Sequence, residues 1–132
     1  MLSNARLRFD PRSDTPAVRQ ISDGIRVLLV EGQLRPGASL PSVRRLAVEL
    51  GVHFNTVAEA YRDLAAEGWL DLRHGRGAVV VARPVPTVPD DRWHEEFRGQ
   101  IRSLVAQMRS RGISTERLAA ELRAMAEVVT HT

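Results

Sequence analysis

The chain has 132 residues, 43% of them hydrophobic and 27% charged, which is enough apolar material for a packed core and too ordinary a charge content for disorder. It holds no cysteine, which excludes disulfides, thiolate metal sites and a cysteine nucleophile. No apolar run reaches membrane-spanning length, and the opening MLSNARLRFD lacks the apolar core of a secretory signal, so a cytoplasmic protein is expected.

The formal net charge is +3, and its distribution says more than its size. Residues 1–83 carry twelve arginines against nine acidic residues, whereas residues 84–132 carry seven of each. The basic surplus therefore lies in the first segment. Every basic residue is arginine, whose planar fork suits phosphates and guanine edges, although arginine-rich codon usage accounts for much of this bias.

In chain order, Arg6-Leu7-Arg8-Phe9 alternates, as a strand or an ordered arm would. Thr15-Pro16 reads as an N-cap followed by proline at the first helical position. The helix that follows buries Val18, Ile21, Ile25, Leu28 and Leu29 and ends near Gly32. Gly24 lies inside it, at a cost of about 1 kcal/mol relative to alanine unless another element packs closely there. Arg35-Pro36-Gly37 is a turn, Ser39-Leu40 a very short strand, and Pro41 the start of the next helix.

From Leu40 to Trp69 the sequence reads LPSVRRLAVELGVHFNTVAEAYRDLAAEGW. Val43, Leu46, Ala47 and Leu50 recur at helical spacing, as do Phe54, Val57, Tyr61, Leu64 and Ala65. Gly51 stands where the first helix must end and reverse, a place that favours positive φ. This is a helix-turn-helix pattern. Leu70 to Arg73 alternates as a strand, His74-Gly75-Arg76-Gly77 is a tight turn, and Ala78 to Val81 returns as the partner strand.

Pro84, Pro86 and Pro89 make residues 84–90 a stiff linker. Asp90 or Asp91 then caps a helix with Trp93, Phe97, Ile101, Leu104, Val105 and Met108 on one face. Ser114 caps a last helix with Leu118, Leu122, Met125 and Val129 on its stripe. Two such helices cannot hide both stripes from water unaided, and no disulfide or metal helps them. Either a second copy of the chain covers them, making a four-helix arrangement, or they pack on their own N-terminal domain. The proline linker favours the second copy. The expected architecture is thus mainly α (α+β), with a winged helix-turn-helix over 1–83, a linker over 84–90 and a two-helix dimerisation hairpin over 91–132.

In a helix-turn-helix the second helix enters the major groove with its N-terminal residues at base edges. Those residues are His53, Phe54, Asn55 and Thr56. Asn pairs bidentately with adenine, Thr and His reach phosphate or a base edge, and Phe54 suits a thymine methyl. The alternative is that His53 or Asn55 only caps the helix and Phe54 belongs to the core. Arg44 and Arg45 lie in the first turn of the preceding helix, which crosses the phosphate backbone in this geometry. Arg62 reads as a surface charge. A His-Gly-Arg-Gly tip fits a wing, because glycine admits close approach to phosphate and arginine suits a narrow minor groove.

Catalytic readings are thin. No two of His53, His74, His94 and His131 stand three or four residues apart, and HExxH, GxxxxGK[ST] and GxSxG are all missing. Neither enzyme activity nor a metal or cofactor is expected. Trp93, His94 and Phe97 read as helix core with a rim histidine rather than a ligand pocket.

Residues 10–83 resemble the N-terminal winged-helix domain of GntR-type bacterial transcriptional regulators. The resemblance is carried by Asp10, Ser13, Pro16, Gln20 and Ile21, by Leu34, Pro36 and Gly37, and by Leu40-Pro41-Ser42-Val43-Arg44 with Leu46-Ala47. It continues through Leu50-Gly51-Val52, Asn55-Thr56-Val57, Ala60-Tyr61, Leu64, Glu67-Gly68 and Gly75-Arg76-Gly77. The short helical tail looks like the YtrA subfamily. The resemblance implies a homodimer on a partly palindromic double-stranded operator, usually as a repressor. It implies DNA contacts from Ser42 and Arg44, from His53, Asn55 and Thr56, and from His74 and Gly75. Phe54 departs from the pattern, since many relatives carry a guanine-reading arginine there. Two other classes stand beside this reading: a protein–protein docking module, and a sensor with an unidentified small-molecule effector in the tail.

Overall fold

A computed structural model describes residues 7–73, 77–83 and 91–131. The elements are α1 (Ala17–Val30), α2 (Val43–Leu50), α3 (Phe54–Ala66), β1 (Leu70–Asp71), β2 (Val79–Val80), α4 (Trp93–Ser110) and α5 (Thr115–Thr130). They fall into two compact units, Met1–Pro84 and Val85–Thr132.

In the first unit α3 is the hub, meeting α1, α2 and β1. Its buried residues are Val57, Ala60, Tyr61 and Leu64, the three-and-four spacing of one inner seam. Ile21, Ile25, Leu28 and Leu29 of α1 and Leu46 and Ala47 of α2 join the same core. Tyr61 is 1% exposed, and its hydroxyl donates to the Pro41 carbonyl at 2.8 Å. Burial raises the Tyr61 hydroxyl pKa well above the ordinary tyrosine range, so it stays protonated and keeps donating.

Three boundaries differ from the sequence expectation. Thr15 does not cap α1: Pro16 holds the N-cap position and makes no side-chain cap bond. Gln20 organises the entry instead. Its amide donates to the carbonyls of Asp10 at 3.0 Å and Thr15 at 2.9 Å, and its carbonyl accepts from the Asp10 N–H at 2.9 Å. Residues 7–10 are accordingly an arm rather than a strand, with Leu7 and Phe9 packed against the core. Gly24 has its reason here, because a Cβ at that position would run into the Leu7 side chain. The second boundary is at α2, which begins at Val43 rather than Pro41, capped by Ser42 Oγ accepting from the Arg45 N–H at 3.2 Å. Pro41 stays outside the helix because its carbonyl is the acceptor that Tyr61 needs. The third is at α4, where Arg92 takes the cap position without a side-chain cap hydrogen bond and the Asp91 carbonyl lies 3.2 Å from His94 Nδ1; Asp90 lies outside the described residues.

Gly51 ends α2 in the left-handed region, at φ 71° and ψ 34°, and its N–H and that of Val52 return to carbonyls of the last turn. β1 pairs antiparallel with β2, Leu70 opposite Val80 and Asp71 opposite Val79. The ladder is shorter than the sequence suggests, since the Arg73 backbone N–H donates to the Asp71 carboxylate at 2.9 Å. The Ser39 segment bridges to Val79 on the other side of β2. Gly37 N–H donates to Val80 O, Val80 N–H to Ala38 O, and Leu40 N–H to Ala78 O, each at 2.8 Å. The chain entering α2 and the hairpin thus share β2.

The C-terminal end of α3 carries a polar corner. Glu67 accepts from Arg26 of α1, with Arg26 Nε 3.0 Å from Oε1, and from the Trp69 indole N–H at 3.2 Å. The Arg26 guanidinium holds the Glu67 carboxyl below the usual glutamate range, and Trp69 adds to this.

In the second unit, Gly112 has φ 89° and the Ile113 N–H donates to Met108 O at 3.2 Å, closing α4. Ser114 Oγ accepts from the Arg117 N–H at 3.3 Å, capping α5 as expected. No described residue of this unit is buried. Phe97 is 57% exposed, Leu104 52% and Met125 54%. Within the unit, α4 and α5 make few close backbone approaches to each other. No helix among the described residues is long and apolar enough to cross a membrane.

Two outcomes follow from these contacts. Tyr61→Phe leaves the Pro41 carbonyl buried without its donor, and should lower unfolding free energy by about 1–3 kcal/mol in urea titrations followed by helical circular dichroism. Glu67 has a folded pKa below its unfolded one, so its contribution is present above the unfolded value and is lost as pH falls through the folded value. Wild type should therefore lose stability below about pH 4.5 more steeply than Glu67→Gln, measured as urea midpoints across pH 3 to 7; parallel curves would contradict this.

Candidate nucleic-acid interface

The surface begins at His53, which ends the turn with extended backbone, φ −68° and ψ 145°. Its Nδ1 accepts from the Asn55 N–H at 3.1 Å. His53 is therefore the cap of α3, and Asn55 is not. A neutral His53 accepting at Nδ1 carries its proton on Nε2, which leaves an N–H donor on an exposed side chain. Asn55 is exposed and Thr56 half-buried.

Phe54 does not belong to the core; it is 44% exposed. Its ring stacks on His53 with centroids 4.6 Å apart, and the Arg44 guanidinium lies 5.5 Å from its centroid. Arg44 is brought from the first turn of α2, so the two helix starts form one continuous surface of Arg44, Phe54 and His53, with Asn55 beside it. Arg45 turns along α2 instead, its Nε 3.6 Å from Glu49 in an exposed i, i+4 pair. Ser42 Oγ accepts the cap bond and keeps its own O–H proton to donate.

An open groove runs from this surface toward the hairpin, lined by Ser42, Val43, Arg44, Ala58, Tyr61, Arg62, Leu72 and Gly77. Arg62 is the residue that sequence reasoning misses: read as a surface charge, it lines the same groove as Arg44. The signal was present in the spacing, because Ala58 and Arg62 are four apart and share a face of α3. Gly77 sits at the base of the hairpin with φ 78°, where a Cβ would come within 3.6 Å of the Leu40 carbonyl. His74, Gly75 and Arg76, the expected tip of the wing, lie outside the described residues. Among the described residues no cluster of His, Cys, Asp or Glu could hold a metal ion.

The model of bacterial regulatory proteins of the gntR family matches residues 17–80, from the start of α1 to β2. The chain is 32% identical over 112 residues to the HTH-type transcriptional repressor YtrA of Bacillus subtilis, covering 85% of each chain. YtrA from Sulfolobus acidocaldarius, a GntR-family transcription factor, is similar at 36% identity and a TM-score of 0.56, over 76% of this chain and 97% of that one. A transcriptional antiterminator from Listeria monocytogenes EGD-e shares the fold at a TM-score of 0.68, over 96% of this chain and 94% of that one; at 22% identity this speaks for fold alone. The two YtrA relatives are regulators of transcription. A capped helix with an exposed polar start, an arginine delivered beside it and a hairpin behind it are what such a regulator needs, and the chain belongs to the GntR family of DNA-binding transcriptional regulators, in its YtrA-like branch.

Proposed function

We propose that the protein represses transcription in the cytoplasm as a homodimer on a partly palindromic operator. Residues 1–83 hold the duplex, residues 84–90 link, and residues 91–132 join two subunits. The reading is carried by the exposed start of α3, where His53, Phe54 and Asn55 stand clear of the core beside Arg44. Asn55 pairs with adenine in the major groove, Phe54 meets a thymine methyl, and His53 and Thr56 donate to a base edge or phosphate. Ser42, Arg44 and Arg45 hold the backbone at the start of α2. The wing, through His74, Gly75, Arg76 and Gly77, follows the minor groove.

The tail supports the dimer. Trp93, Phe97, Ile101, Leu104, Val105 and Met108 on α4, with Leu118, Leu122 and Met125 on α5, are exposed or only half-buried within one subunit. Apolar faces on both helices are costly to leave in water over so long a stretch, whereas a second copy would close them into one interior. A two-fold pair of tails also places two recognition helices for two half-sites.

Two measurements test the reading. Arg44→Ala should weaken binding to operator and random DNA alike and lower the salt slope by about one, whereas Asn55→Ala should cost roughly 1–3 kcal/mol on the operator and little elsewhere; titrations at several salt concentrations on both duplexes would show the reverse pattern if the roles are wrong. Replacing Phe97 and Leu104 together by glutamate should give a helical monomer in sedimentation that binds the operator far more weakly, and a persistent dimer would remove the tail from the interface.

A further inference from the structure

The far end of α3 meets an arginine that lies outside the proposed DNA surface. Arg83 is the last described residue of the first unit before the chain continues toward α4. Its Nε donates to the Glu67 carbonyl at 2.8 Å, on the residue that caps α3. Its guanidinium lies over the Trp69 ring, 4.7 Å from the centroid. Its aliphatic stem passes over Gly68, with Cγ 3.8 Å from where a Cβ would stand. Glu67 is itself tied to Arg26 of α1, and the Val81 N–H donates to Trp69 O at 3.0 Å.

A solvated arginine would not need all of these contacts at once. Together they fasten residue 83 to the C-terminal end of the same rod whose N-terminal end starts at His53. Among the described residues, Val81 is the last there to donate a backbone bond. The clamp carries that hold two residues further and ties Arg83 to the end of α3. Residues 84–90, which lie outside the described residues, hold three prolines.

The geometry points to Arg83 as a positioning residue that fixes the half-site spacing the dimer accepts, by clamping the outgoing chain to the end of the recognition helix. This rests on the tail-linked dimer proposed above. Arg83 touches no DNA in this scheme; it sets the direction from which α3 is held.

The test uses the full chain and a duplex enriched by wild type from a randomised pool, together with an isolated half-site and versions lengthened by one and two base pairs between half-sites. Arg83→Ala should remain a dimer in sedimentation and bind the isolated half-site as wild type does. Its preference for the selected spacing over the lengthened ones should fall by about tenfold, the size that one stacked cation and one hydrogen bond represent together. Trp69→Ala should reproduce the effect, and Trp69→Phe, which keeps a ring, should largely restore the preference. An unchanged spacing preference in Arg83→Ala overturns the proposal. So does an equal loss on every duplex including the half-site, which would make Arg83 a support for α3 and nothing more. A wild type that is monomeric or indifferent to spacing overturns the dimer reading and this proposal with it.

Discussion

The burial of one seam of α3 is the constraint on which the rest depends. Val57, Ala60, Tyr61 and Leu64 face inward, so the opposite face and both ends of the helix are left to other tasks. Tyr61 adds direction to this burial. A purely apolar seam tolerates small rotations, but a hydroxyl that must reach the Pro41 carbonyl at 2.8 Å does not. The rotation of α3 about its own axis, and hence which residues stand clear at its start, is set by that bond together with the packing of α1 and α2.

The same constraint explains how His53, Phe54 and Asn55 divide their work. The turn after Gly51 delivers His53 in extended backbone, and its ring nitrogen takes the cap bond. Asn55, one residue into the helix, is thereby released from capping. Phe54 cannot enter the core because the seam begins at Val57, and its ring is instead covered on the surface by His53 and Arg44. A stacked guanidinium keeps its edge donors while its face is screened, which suits the phosphate contact proposed for Arg44.

Much of this was legible from the residues. Periodicity placed the five helices found among the described residues, because each has one apolar stripe and a glycine, serine or proline near its boundary. Gly51 and Ser114 were readable as a reversal and a cap because their local chemistry leaves few rivals. Thr15, Pro41 and the aspartates before α4 misled for a common reason. Each had a competent local chemistry, but a tertiary partner or a neighbour took the role: Gln20 reached back to Asp10 and Thr15, Pro41 gave its carbonyl to Tyr61, and Arg92 took the position before Trp93. The long arginines were the least legible. Arg44 over Phe54 and Arg83 over Trp69 depend on where two elements meet, and no spacing within one element encodes that; for Arg62 the spacing gives the face it shares with Ala58, but not the groove that face lines. Gly24 lay between these cases: a glycine inside a helix called for a close neighbour, but only the fold shows that the neighbour is Leu7.

The central position of β2 has a consequence for the shape of duplex the protein tolerates. Its backbone is stitched on one side to β1 and on the other to the segment that leads into α2. The hairpin and the start of α2 are therefore two jaws of a single calliper rather than two independent fingers. In the proposed complex one jaw lies against the minor groove and the other against the phosphates beside the major groove. Neither the described base of the hairpin nor the lead-in to α2 can swing away without breaking hydrogen bonds of the strand they share. A duplex in that complex would meet both at one separation whatever its bases, and the energy needed to bring its backbone there would depend on how compliant its sequence is.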